Sequence, residues 1–578
     1  MNKDIRNMQR RQTAQRSQTP SCNSCTSLVV TKIVAICWLL IMSVSSFAQE
    51  KWDEGEIEKV EIEIIKEKQI NLPKANRNFE KVPPRPAAPI KPEIVYDFKN
   101  LSFTTPDFNP AIRPLRLKAE PIQKIYGNYV SAGFGNYVSP FLDAYATTKR
   151  DKEKFYGIKL FHQSFGQGSV DKSNSGNGNT QLRLFGKAFG KVATAGGFLN
   201  YENIGNHFYG YTPGTDIKSA AIKQSYSIVS LGGEVENSTS GKFNYKLNGA
   251  FSYLGDHYDA KESEVTLGLR SDYEVSKTSK ILIGSDYFLI SRKDALVDAK
   301  PRHIFKVKGG YQFSPIDDLS VTIGANVVYE NDTIGKNKSL HIYPDLKASY
   351  PLTQSIEMYA GLTGDIDKVS LHTIAHENAW VNSNIGIFNT NRSIEFLGGL
   401  KGKLGNKVAF GAGLAVANLK DLYFYQNDPT DRSKFITVFD DGNTKRSNLF
   451  GELSFSHAEI AKVMLRADAF TYSTDKVAEA WHRPTYRVSF GAFYNIYSKF
   501  QFNTDFIVQG GAKALNVDNN TTVTLEPAVD LNLKTSYFLS KQFSIFVKGS
   551  NLLNNNYQLY LNYPVRGLQV LGGITWVF

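Results

Sequence analysis

Three short stretches carry residue types that could do chemistry. His372-Thr-Ile-Ala-His376-Glu377 would place two imidazoles on one face of a helix, a spacing used for metals. It lacks the HExxH order of the zinc hydrolases. Asp440-Asp441-Gly442-Asn443 is acidic, but its ligand positions do not follow a calcium loop. Gly398-Gly399-Leu400-Lys401-Gly402-Lys403 is glycine-rich, yet it misses the phosphate-loop spacing and the Ser/Thr that must follow the lysine. Cys22 and Cys25 form a CxxC pair. No nucleophile, base and orienting acid can be grouped by spacing. The sequence therefore predicts no enzyme, no catalytic residue, no metal site and no cofactor.

The cysteines belong to a segment with another purpose. Residues 1–32 carry six Lys or Arg against one Asp, and an apolar run from Ile33 to Met42 follows. Ser46-Phe47-Ala48 fits the small-x-small rule of an export signal. Residues 1–48 are read as a signal peptide, with the mature chain starting at Gln49. Cys37 follows Ile36, not the small residue that lipoprotein processing requires. All three cysteines leave with the signal, so the mature chain has no disulfide. Removing residues 1–48 lowers the net charge from +12 to +7. That is mild for a chain of this length and does not point to nucleic acid.

Ten of the 21 prolines fall between Pro73 and Pro121. Residues 49–125 are thus a Pro-rich segment that favours extended conformations. Within it Val60, Ile62 and Ile64 alternate with acidic residues, the pattern of one short strand. An extended segment of this kind can add to the sheet of a periplasmic partner.

From residue 126 to 578 the pattern changes to apolar/polar alternation. Val463, Leu465, Ala467 and Ala469 share one face, and Met464, Arg466 and Asp468 the other. Lys306 and Lys308 share a face. Period two means strands. Twenty-two can be placed, including long ones at 407–425 and 522–538, and 20 or 24 stay open. Short turns such as 405–406 and 498–499 alternate with long polar connections such as 370–392 and 428–444. The predicted class is all-β: a transmembrane antiparallel barrel with short periplasmic turns and long external loops. Charges on one face of many strands (Lys159, Lys306, Lys308, Glu452, Arg466, Asp468, Arg487, Lys548) suit a water-filled lumen and not a packed core. Aromatics near strand ends, among them Tyr423, Phe424 and Tyr425, are read as interfacial girdles facing outer-membrane lipid.

In the last strand Leu568, Val570, Gly572, Ile574, Trp576 and Phe578 share the predicted lipid face. The terminal Phe578, with Val570, Ile574 and Trp576, is similar to the signature read by the barrel-assembly machinery. Asn551-Leu552, then Tyr557, then Pro564-Val565-Arg566-Gly567, resembles the closing motif of TonB-dependent receptors. The Asn- and Tyr-rich style and Ser-Phe-Ala-Gln at the cleavage site resemble Bacteroidota exports. The resemblance implies a 22-stranded barrel that binds or transports a ligand across the outer membrane, with a TonB-like periplasmic partner. Two departures stand out. The chain reads Pro-Val-Arg-Gly where those receptors have Pro-Gly-Arg, and residues 49–125 are too short and proline-rich for their plug domain. A second reading follows from the missing plug: a structural or docking subunit of an outer-membrane assembly or export complex. An empty barrel of this size would be a wide hole. Residues 49–125, inward-folded loops or a partner should occlude it.

Overall fold

The computed structural model describes residues 126–149, 151–298, 300–332 and 339–578. The signal peptide, the Pro-rich segment and the Val60, Ile62, Ile64 strand lie outside the described residues, as do all three cysteines. Among the described residues, 22 strands form one sheet, each antiparallel to its neighbours. The first strand, Asn128–Gly135, pairs with the last, Gln569–Val577, and closes the sheet into a barrel.

The period-two pattern gives the wall its two faces. Leu184, Leu199, Leu231 and Phe251 lie opposite one another on four consecutive strands. All are between 41% and 58% exposed. One residue along, Arg183, Asn200, Ser230 and Ser252 form the neighbouring row on the other face. An outward belt of exposed Leu and Phe is stable only against hydrocarbon. Charges line the inside and are largely paired there. Lys246 meets Glu234 at 2.8 Å and Glu236 at 3.1 Å, Arg270 meets Asp286 at 2.8 Å, and Arg466 meets Glu452 at 2.9 Å.

Connections sort by length. One end carries tight turns, such as 277–278, 354–355 and 405–407. The other carries 208–222, 368–389, 421–442, 511–527 and 551–568, with the short 136–138 and 257–260 as exceptions.

Two expected strands divide. The stretch 407–425 breaks after Lys420, where Asp421 takes a left-handed φ of 55°. Tyr423–Asn427 then pairs with Phe435–Phe439 in a separate hairpin. Tyr423, Phe424 and Tyr425 are consequently buried and not part of a lipid girdle. The stretch 522–538 divides at Pro527, which lacks the N–H a ladder needs. Thr521–Thr524 pairs with Lys513–Asn516 outside the barrel, whose strand begins at Ala528. Gly398 to Lys403 lies inside the strand Thr390–Leu404.

At the seam the backbones approach closely. Gly133 faces Gly573. A Cβ on Gly573 would sit 2.4 Å from the Ala132 carbonyl oxygen and 2.5 Å from the Phe546 ring, while one on Gly572 meets nothing within 4 Å. Gly573→Ala should destabilise seam closure by about 1–3 kcal/mol and lower the fraction of heat-modifiable barrel on unboiled gels. Gly572→Ala should migrate as wild type.

Candidate functional site: a loop cap over a charged lumen

The long connections fold inward and close one mouth of the barrel. Their shared core contains Val369, Leu371, Ile374, Val381, Ile385 and Ile387 from 368–389. Tyr423, Tyr425 and Phe435 join it from the hairpin, and Tyr563 from 551–568. Tyr226, Ile228 and Leu254 of the wall complete it. The Tyr563 ring packs tilted against Trp380 at 4.3 Å and against Tyr209 at 4.6 Å, so three separate loops meet at one aromatic cluster.

Burying loop backbone requires partners for its polar groups. Charged residues at the strand tops supply them. Ser370 caps the short helix Leu371–Glu377 by accepting from the Thr373 N–H. Glu262 accepts the N–H groups of Leu371 at 2.8 Å and His372 at 3.0 Å, neutralising the same helix end. Arg292, paired with Asp294 at 2.7 Å, donates to the Ile385 carbonyl at 2.7 Å. Arg302 donates to the Val369 carbonyl at 2.8 Å. Loop 368–389 is therefore bolted to the wall as well as packed against it.

The helix holds the histidines that drew notice in the sequence. Their rings are 4.6 Å apart, on one face as the i, i+4 spacing predicts. Both rings are held by the protein's own groups or packed against them. His376 Nδ1 lies 2.9 Å from the His372 carbonyl, and Nε2 lies 3.1 Å from Glu202 of the wall. The hydrogen bond to Glu202 pushes the His376 pKa up. Burial, and then His376, push His372 down. Among the described residues no three His, Cys, Asp or Glu side chains are grouped to hold a metal ion.

Glu377, next along, organises the cap. It accepts Tyr423 Oη at 2.5 Å, Tyr425 Oη at 3.2 Å and Arg483 Nη1 at 2.6 Å. Its carbonyl accepts Tyr560 Oη at 2.8 Å. Burial opposes the Arg483 charge, but Glu377 prevails and the guanidinium is held firmly protonated. Four loops thus converge on one residue. Asp440, expected not to bind calcium, is fully buried and accepts the N–H groups of Asp475 at 3.0 Å and Lys476 at 2.7 Å. It ties two loops together as a turn acceptor.

The residues resembling a receptor closing motif lie in this cap and at the seam. Asn551 donates to the carbonyls of Asn555 at 2.9 Å and Arg566 at 2.8 Å, fixing both ends of the last loop. Tyr557 donates to Asp530 at 2.9 Å. The Pro564 carbonyl accepts Ser169 Oγ at 2.7 Å, and Arg566 lies 3.9 Å over the Phe165 ring. Gly567 leaves room for the Asn554 side chain, which a Cβ would meet at 2.4 Å. Leu552 is 37% exposed. Val570, Ile574 and Trp576 face outward, and Phe578 stacks on Trp576 at 4.3 Å. Sequence reading missed Glu262, Arg292, Arg302, Arg483 and Tyr560. The signal available was their position at strand ends or in polar loops, which does not say that those loops fold inward.

A closed β-barrel of 22 strands, apolar outside and charged within, is the architecture of outer-membrane receptors. The pyoverdine outer-membrane receptor FpvA of Pseudomonas aeruginosa is similar in fold, with 11% identity, TM-score 0.60 and 80% of each chain covered. So are the siderophore receptor PirA of Acinetobacter baumannii (11%, TM-score 0.59, 78% of this chain and 80% of that one) and the P. aeruginosa ferric enterobactin receptor PfeA (11%, TM-score 0.57, 78% and 80%). No family profile matches the chain, and no characterised protein matches it in sequence. The likeness is therefore one of fold.

His482 gives the cap a pH dependence. Its hydrogen bonds fit a neutral ring, Nδ1 donating to the Tyr425 carbonyl at 2.8 Å and Nε2 accepting the Leu561 N–H at 3.2 Å. Burial pushes its pKa from 6.5 down to about 4. When the cap opens, His482 can take a proton that the closed cap refuses. The closed state should lose stability as pH falls from about 6.5 to about 4, by on the order of 3 kcal/mol, and no more below that. His376, raised instead, acts in the opposite sense. Hydrogen exchange in 474–485 and 558–563, corrected for intrinsic rates, should show protection falling over that window. In His482→Gln this part of the slope should vanish.

Proposed function

We propose that this chain is an outer-membrane receptor-type barrel that admits a polar ligand through its lumen, with the loop cap as the gate. The observation that carries this reading is the construction of the mouth. A wide lumen is closed by the barrel's own loops, held by polar contacts to Glu377 and not by covalent links. Contacts of this kind, worth about 1–3 kcal/mol each, can exchange between two arrangements.

The reading includes export by residues 1–48, delivery to the outer membrane through the strand ending at Phe578, and a periplasmic partner added at Val60, Ile62 and Ile64. It draws support from the fold likeness and from the residues similar to a TonB-dependent receptor closing motif. A second reading, a docking subunit of an outer-membrane assembly, is favoured by the large apolar core of the cap, which could serve as a permanent lid. A stoichiometric partner retained in mild detergent would favour that reading.

Purified protein in planar bilayers tests the gate. Wild type should conduct little, and the double variant Glu377→Ala/Arg483→Ala should open frequently. Equal conductance in the two, with both barrels folded, would overturn the gate assignment. In cells, Phe578→Ala should lower the outer-membrane level of the protein. Unchanged levels would show that sorting does not depend on this residue.

A further inference from the structure

Many lumenal cations have an acid beside them, but two facing pairs make no ion pair among the described residues: Lys534 opposite Lys548, and a pair in a sector richer in rings. Lys159 lies directly opposite Arg183 on adjacent strands. Neither makes an ion pair among the described residues, and both are exposed to the lumen. Like charges directly opposite in a sheet destabilise it. Their neighbour Lys187 shows the usual arrangement, meeting Glu234 at 2.5 Å, and Glu234 is also held by Lys246 at 2.8 Å. That carboxylate is therefore already committed.

The same sector is lined with rings, which a purely aqueous lumen does not call for. Tyr145 stacks on Phe185 at 5.9 Å, and Phe155 packs on Phe185 at 5.7 Å. Arg183 lies 4.7 Å over the Phe198 ring, which covers one face of the guanidinium and leaves its N–H edge free. Glycines at 186, 196, 197, 233 and 249 make the floor of this hollow, which has a volume of about 540 Å³. Aromatic faces beside a small-residue floor accept a flat ring, and an uncompensated Lys–Arg pair accepts an anion.

We propose that the hollow bounded by Tyr145, Phe155, Lys159, Arg183, Phe185 and Phe198 binds a ring-bearing carboxylate, the chemistry shared by sugar acids and aryl acids. The ring stacks on Phe185 or Tyr145, and the carboxylate takes the Arg183 edge and Lys159. This names the ligand class for the conduit reading and rests on it. Binding is measured without transport, so its failure would leave gating to be judged by conductance.

The test is calorimetric titration of the purified full chain in detergent. Trigalacturonate and benzoate are the two anionic probes, and maltotriose is the neutral control. At least one anionic probe should bind, more weakly as salt rises, and which one binds identifies the source. Lys159→Gln and Arg183→Gln should each weaken it about tenfold, the loss of one charge-assisted hydrogen bond of about 1.4 kcal/mol. Phe185→Leu should weaken it while keeping both charges. All three side chains face open lumen or its lining, and unboiled gels confirm the folded barrel. Maltotriose binding as tightly as the anions, unchanged affinity in Arg183→Gln, or no binding of either acid at millimolar concentration would overturn the proposal.

Discussion

Hydrocarbon leaves no water to satisfy a backbone N–H or carbonyl, so a sheet crossing it must have no free edge. Everything else in this molecule depends on that closure. The first and last strands meet through Gly133 and Gly573, with Asn136 bonding both the Leu568 carbonyl at 2.8 Å and the Val570 N–H at 3.0 Å beyond the ladder. Lys149 donates to the Phe578 carbonyl at 2.9 Å at the opposite end. Once the seam is shut, alternation along every strand becomes a division between lipid and lumen, and the row from Leu184 to Phe251 can face outward without cost.

Closure also creates a problem, because twenty-two strands enclose more space than their own side chains fill. The lumen is kept wet by charges, and the mouth is closed by building a small hydrophobic core from loops. That core follows the rules of a soluble domain. Its apolar residues come from separate loops, and two of its carboxylates are matched: Glu377 with two tyrosines and an arginine, Asp440 with a run of backbone N–H groups. A barrel wall and a globular cap thus coexist in one chain, under different solvents.

This division explains what the sequence could show. The wall was legible because alternation is a local property. Val463 to Ala469 declares its two faces without reference to any other strand, and it lies wholly within the strand Ala461–Ser473. The cap was not legible, because its contacts span the chain. Nothing near His372 reveals Glu202, and nothing near Tyr423 distinguishes an interfacial tyrosine from a buried one that donates to Glu377. Asp421 and Pro527 broke two strands that alternation alone would have continued, since a left-handed φ and a missing N–H are invisible to a periodicity count.

The wall strand Ala193–His207 links the two regions. Phe198 lies in the aromatic hollow, and Glu202, two lumenal positions further along, reaches His376 of the cap. A strand paired on both sides is stiff, so adjacency alone transmits nothing; coupling needs an element with two arrangements. Phe198 is fixed in the wall. The His376–Glu202 contact joins a wall carboxylate to a helix carried on a loop, and it can break without disturbing the ladder. Phe198 and Glu202 are four residues apart, ~13 Å along a strand, farther than the ~8 Å screening length of physiological salt, so charge in the hollow acts on that contact only weakly through open solvent. Coupling from the proposed hollow to the proposed gate would therefore need the His376–Glu202 contact itself to have two arrangements.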